Sequence, residues 1–188
     1  MTGPLARDLA DHVPADEVEA ASLKRVRNYV EDAEAPMDRE DAFGHVVASG
    51  LVASPDRERI VLLHHRQLGM WLQPGGHAEP GESRPRAVAE REAREETGLD
   101  LEPHPDRPGL VDVDAHRIPA SEAMPEHWHF DLRYVFQADP GEEPVVPDAE
   151  GHEVRWFTVD EAMAELELDE GLQRLIGKVA EGSRSSRS

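Results

Sequence analysis

Along the chain the apolar positions change period more than once. In residues 14–32 the positions Val18, Ala21, Leu23, Val26, Tyr29 and Val30 recur at helical spacing, which predicts one amphipathic helix, with a shorter one before it at 5–11. At Phe43 the texture changes. Residues 43–53 (FGHVVASGLVA) and 59–65 (RIVLLHH) read as strands, and Ser54-Pro55-Asp56 reads as the turn joining them in a hairpin. Trp71-Leu72-Gln73 is a short extended piece that runs into a loop at Pro74-Gly75-Gly76. A helix from Pro85 to Thr97 is bracketed by proline in its first turn and by Gly98 just past its end. Strands follow at 110–118, 127–138 and 152–157. Thr158 and Glu161 then form a capping box for a short helix to about Leu166. Asp169 caps a last helix with Leu172, Leu175, Ile176 and Val179 on one face. Strands and helices that mix without a regular βαβ rhythm predict an α/β domain with a mixed sheet. Residues 1–40 are expected as an N-terminal helical extension, packed on the core in preference to serving as a dimer arm. Residues 41–180 form the main domain, and 181–188 (EGSRSSRS) a disordered tail.

Charge narrows what such a domain can do. Twenty Lys and Arg against 40 Asp and Glu leave a net charge of −20. That excess opposes a polynucleotide or an anionic membrane as partner, and it suits a phosphate ligand only if cations mediate. The absence of Cys excludes disulfides, thiolate zinc sites and thiol catalysis. No apolar run reaches the roughly 18–20 residues of a membrane span. The opening MTGPLARDLADHV has no apolar core of a signal peptide. A soluble, cytoplasmic protein is the expectation.

The most informative stretch is GGHAEPGESRPRAVAEREAREETGL, from Gly75 to Leu99. Glu92, Glu95 and Glu96 are spaced i, i+3 and i+4, so the three carboxylates share one helix face. Crowded carboxylates repel, and the repulsion raises the pKa of at least some of them. A divalent ion relieves it, and hard oxygen ligands suit Mg²⁺ or Mn²⁺. The plainer reading is a solvated acidic helix with ion pairs such as Arg91–Glu95. Ala89 and Ala93 lie on a different face, where small side chains let the helix approach a sheet. Ahead of it, Gly75-Gly76 permits close approach to a ligand and Pro80-Gly81 makes a second turn before Glu82. Glycine loop and carboxylate helix together suit a metal-bridged phosphate.

These residues resemble the box of the Nudix hydrolases, enzymes that cleave nucleoside diphosphates linked to another moiety. The family pattern is Gly, five residues, Glu, seven residues, then Arg-Glu-apolar-x-Glu-Glu-x-Gly-apolar. Gly76, Glu82, Arg91, Glu92, Ala93, Glu95, Glu96, Gly98 and Leu99 match it, with one departure: Ser83 to Glu90 is eight residues long. The extra residue is placed before Pro85, where a loop absorbs it. WLQPGGH, DVDAH and HWHFDLRY further resemble a bacterial subgroup with the same lengthened box. The resemblance implies a Nudix-type α/β/α sandwich and a metal-dependent pyrophosphohydrolase acting on a small-molecule diphosphate by water attack at phosphorus. It also implies Mg²⁺ or Mn²⁺ held by Glu92, Glu95 and Glu96 with the Gly75 or Gly76 carbonyl, and a structural ion pair between Glu82 and Arg91. Glu150, ahead of the strand at Trp156, stands where several members carry the general base; Glu153 and the box residue Glu95 are the alternatives. A homodimer is common among such domains. The alternative function is a non-catalytic nucleotide or metabolite sensor on the same fold. The family's isopentenyl diphosphate isomerase branch needs a cysteine and is excluded.

Substrate-side candidates come from alternation. In HWHFDLRY the residues His127, His129, Asp131 and Arg133 share one strand face, opposite Trp128, Phe130, Leu132 and Tyr134. Asp112, Asp114 and His116 share a face of the strand before it. That polar face lines a substrate cleft, faces solvent, or holds an additional metal, in that order of preference. Arg133 is a candidate phosphate clamp, and His77 points at the phosphate beside Gly76. Arg66 ends the second strand near the glycine loop, and Trp71 either stacks on a base or joins the core.

Overall fold

The computed structural model describes residues 3–66, 68–121, 124–145 and 153–181. Two helices, α1 (Pro4–Asp11) and α2 (Glu17–Asp32), precede the hairpin of β1 (Gly44–Ala53) and β2 (Arg59–His65), paired through Val52 with Val61 and Ala53 with Ile60. Then come β3 (Met70–Leu72), β4 (Gly75–His77), α3 (Pro85–Thr97), β5 (Glu102–Pro103), β6 (Asp112–Ile118) and β7 (His127–Gln137). The chain closes with β8 (Glu153–Thr158), α4 (Val159–Glu165) and α5 (Glu170–Ala180). The expected caps are in place: Thr158 and Glu161 form their reciprocal box, Asp169 accepts from the Leu172 amide, and Gly98 ends α3 at a φ of 67°.

All eight strands join one mixed sheet. Its centre is β1, paired in parallel with β7 from Gly44 opposite Trp128 to Ala53 opposite Gln137. The other pairs are antiparallel: β2 and β4 on β1, β5 and β6 on β7, β3 and β8 on β2. Side chains alternate across β1, which gives each face its own core. On one face Val46, Ala48 and Val52 pack with Leu23, Val26 and Val30 of α2 and with Val88, Ala89 and Ala93 of α3. On the other, Leu51 and Ala53 pack with Leu172, Leu175, Ile176 and Val179 of α5. The result is the α/β/α layering expected. Gly50 permits it locally, because a Cβ there would lie 2.7 Å from the Ala89 carbonyl oxygen.

Two expectations need correction. Gly75-Gly76 is not a free loop but part of β4, with Gly75 opposite Ser49 and Gly76 opposite Ala48. A Cβ on Gly75 would fall 2.7 Å from Ser49 Cα, so glycine is what allows this strand to form. In α2, Val18 is 55 % exposed and Ala21 also faces out, while Glu19 and Ser22 take buried positions. Glu19 is satisfied there: it accepts from the amides of Ala15 (2.6 Å) and Val113 (3.2 Å) and from Lys178 Nζ (2.6 Å). The helical period was read correctly, but a buried polar network rotated the face. The tail residues 182–188 lie outside the described residues. Among those described, no helix is long and apolar enough to cross a membrane.

Candidate active site

Helix α3 lies against β1 through Ala89 and Ala93, which turns Arg91, Glu92, Glu95 and Glu96 toward β4 and the turn after it. Arg91 organises this edge. It donates to Glu82 from Nε (3.2 Å) and Nη2 (3.0 Å), and to the His77 carbonyl from Nη2 (2.9 Å). Its Nη1 bridges Glu92 and Glu95 at 3.0 Å each. Ser83 and Arg84 link the turn to α3, which begins at Pro85, and Glu82 still reaches Arg91. Hydrogen bonding from Arg91 holds the Glu82 carboxyl below its ordinary range. Glu92 is pushed the other way, first by burial and then by Glu95 and Glu82, against the pull of Arg91. Its carboxylate occupies the space where Gly76 has no side chain: a Cβ there would lie 2.6 Å from Glu92 Cδ. Glu96 accepts from the Gly75 amide at 2.9 Å, whereas Glu95 is 57 % exposed. Beside this edge, an open cleft of about 610 Å³ runs between residues 34–40 and 78–83.

Gly76 and His77 are successive residues of β4 and point to opposite faces. His77 lies opposite Val47, and His45 lies opposite His129, so these histidines share the sheet face away from α3. The polar face of β7 is therefore not solvated. His127, Asp131 and Arg133 are all buried, and so is Asp112 of β6. Arg133 is wired to Asp131 (2.7 Å), Asp112 (3.4 Å) and Asp114 (3.5 Å), with 4 % of its side chain exposed. Those three carboxylates, rather than an open phosphate position, take up its guanidinium. From α5, Arg174 and Lys178 both reach Asp112. Burial opposes the charge of Asp114, yet His116, Arg133 and Arg174 bring its pKa down to about 2. Further along this face, His45, His77, His127 and His129 gather with ring centroids 4.8–5.1 Å apart for five of their pairs. Burial, then the neighbouring histidines, push His45 down to about 4 and His129 down to about 2.

Other expected site residues lie apart. Trp71 joins the α5-side core, edge-on to Phe157 at 4.8 Å with the Arg155 guanidinium 4.9 Å from its ring. Arg66 is exposed in the turn after β2. Glu150 lies outside the described residues, and Glu153 opens β8 with its carboxylate 3.5 Å from Arg155. His45 escaped the sequence reading. The signal for it was present: one titratable side chain inside an otherwise apolar or small-residue strand, GHVVASGLVA.

The profile of the NUDIX domain matches residues 44–178, most of the chain. The chain belongs to the NUDIX family. Its enzyme class is that of a Nudix pyrophosphohydrolase. Among solved structures it is similar to a NUDIX-family hydrolase from Clostridium perfringens, with 21 % identity, a TM-score of 0.54, and 72 % of this chain and 95 % of that one covered. An Ap4A hydrolase from C. elegans is similar at 17 % identity and a TM-score of 0.55, with 72 % and 94 % covered. At such identities the likeness is one of fold. Both span nearly their whole length on the Nudix domain of this chain, and α1 and α2 lie ahead of the residues the profile matches.

Proposed function

We propose that this Nudix domain hydrolyses a phosphoanhydride bond in a nucleoside diphosphate linked to another moiety, or in a related small diphosphate, with Mg²⁺ or Mn²⁺ as cofactor. The observation that carries this reading is the carboxylate face of α3, with Glu92 seated in the space left by Gly76. Three carboxylates beside a strand carbonyl are a hard-oxygen donor set of the kind these ions take. Glu92, Glu95 and Glu96, with the Gly75 or Gly76 carbonyl, would hold the ion. When bound, it supplies charge neutralisation of the diphosphate, polarisation of a phosphoryl oxygen and a lowered pKa for the attacking water.

The residues of the chain do the rest. Glu95 is exposed to water at the helix surface and accepts the proton of the attacking water, while Glu150 is the other candidate for that role. Arg91 is a positioning residue. By holding Glu82, Glu92 and Glu95 together with the His77 carbonyl, it fixes α3 against β4 before any ion arrives. The experiment is a panel of nucleoside and non-nucleoside diphosphates with Mg²⁺ and Mn²⁺, read by phosphate release and product mass. Replacing Glu95 and Glu96 together by Gln is expected to lower turnover by about 10²–10⁴-fold. Unchanged turnover in that variant would refute the assignment.

A further inference from the structure

The histidines on the far face of β4 have no part in that reading. We propose that His45, His77 and His129 form a second metal centre, one for a divalent ion of borderline softness, with Zn²⁺ as the reference ion. It is separate from the carboxylate set on α3, because Gly76 faces Glu92 while His77 faces away from it.

Three strands build the site. His45 comes from β1, His77 from β4 and His129 from β7, and strand register places all three on one face. One ligating nitrogen from each lies within 4.8 Å of the other two. Zn–N bonds of about 2.0–2.1 Å at tetrahedral angles put nitrogens about 3.3 Å apart. Closing the rings by at most about 1.5 Å reaches that spacing. Other divalent first-row ions that prefer imidazole fit equally, whereas Mg²⁺ and Ca²⁺ favour oxygen and are not expected here.

His45 supplies the independent reason to expect a ligand. It is 0 % exposed, and neither of its ring nitrogens has a hydrogen-bond partner among the described residues. Buried polar groups left in that state are uncommon, since each loses its water without gaining a partner. Each neutral imidazole carries one N–H donor and one lone pair, yet neither nitrogen of His45 is in hydrogen-bond geometry with the rings around it. A cation can accept three of those lone pairs at once.

The surroundings resemble those of a built metal site. His127 lies 2.8 Å through Nδ1 from the Pro125 carbonyl, which assigns the proton to Nδ1 and leaves Nε2 as an acceptor. Its ring centroid is 5.1 Å from those of both His45 and His129, so it stands beside the triad without belonging to it. His116 stands 5.7 Å from His129 and holds Asp114 at 2.9 Å, an outer carboxylate–histidine pair of the kind that orients ligands. The buried Asp131, in register with Val47 between the His45 and Ser49 positions of β1, adds negative charge nearby.

The test uses the full chain, stripped of metal, in which Glu92, Glu95 and Glu96 are all replaced by Gln to silence the carboxylates. Titration with Co²⁺ should develop the visible absorption of a low-coordinate nitrogen-ligated ion at one equivalent. Zn²⁺ should displace it and excess Mg²⁺ should not. His45→Ala and His129→Asn should each weaken Co²⁺ and Zn²⁺ affinity by about 100-fold or more, with folding checked by circular dichroism. Should His45→Ala fail to fold, His77→Asn at its half-buried position carries the same prediction. No uptake of Co²⁺ or Zn²⁺ overturns the proposal. So does uptake that survives the histidine substitutions, or that occurs only with the three glutamates intact.

Discussion

The two faces of β4 carry opposite chemistry within three residues. On the α3 side, Glu92, Glu95 and Glu96 are carboxylates at a half-open edge, the first two held by Arg91 and the third by the Gly75 amide. On the other side, His45 is buried and His77 and His129 are half-buried, burial pushes the pKa of all three down, and no ion pair to a basic residue holds them among the described residues. The contrast shows two ways of keeping a cluster of like groups in a folded chain. Where water can reach, charge is retained and a guanidinium spreads it. Where burial weakens solvation, the cluster is favoured in its unprotonated form.

Acid should break the comparison first. A histidine whose folded pKa lies below its ordinary 6.5 binds fewer protons folded than unfolded. Its contribution to stability is therefore complete above pH 6.5 and is lost as pH falls from there through about 4. In the metal-stripped protein, His45 alone should lower the unfolding free energy by about 2 kcal/mol between pH 7 and pH 5. Urea denaturation at both pH values checks this, and His45→Leu should remove that part of the slope. The same slope in the variant would show that His45 does not titrate as its burial requires.

The two glycines of β4 sharpen the comparison. A Cβ on Gly76 meets only the mobile end of Glu92, whereas one on Gly75 meets the backbone of Ser49. Gly76→Ala should therefore keep the thermal transition close to that of the wild type and lower metal-dependent turnover by about tenfold. Gly75→Ala should lower the transition temperature itself. Equal losses of stability in the two variants would refute the distinction. The smallest effect expected is that of Glu82→Gln. This pair is a quarter exposed or less on both sides and should cost about 1 kcal/mol in urea denaturation.

The comparison also explains what the sequence could reveal. The carboxylate edge lies within one continuous stretch, Gly75 to Leu99, so spacing on a helix was enough to bring Glu92, Glu95, Glu96, Arg91 and Glu82 together on paper. The caps at Thr158, Asp169 and Gly98 were legible for the same reason, because each acts within one turn. The histidine centre was not. Alternation along β7 placed His127 and His129 on a common face, but His45 and His77 reach them only through pairing between strands distant in sequence. Arg133 failed in a related way. Its strand face was read correctly, but its partners Asp112 and Asp114 belong to β6, and nothing local indicated that they would neutralise it. In α2, likewise, Glu19 is held by Val113 of β6 and Lys178 of α5, both far along the chain from it.

The parallel pairing of β1 with β7 also sets an order of assembly. The two strands meet with 73 residues of chain between them, a costly loop to close and one that cannot close until β7 has been synthesised. The carboxylate helix and its turn need only their own stretch of chain and the hairpin already made. During synthesis, then, the acidic edge can take shape before His129 has reached the histidine face. An ion for the histidines would meet all three ligands only once β7 has joined β1 and brought His129 beside His45.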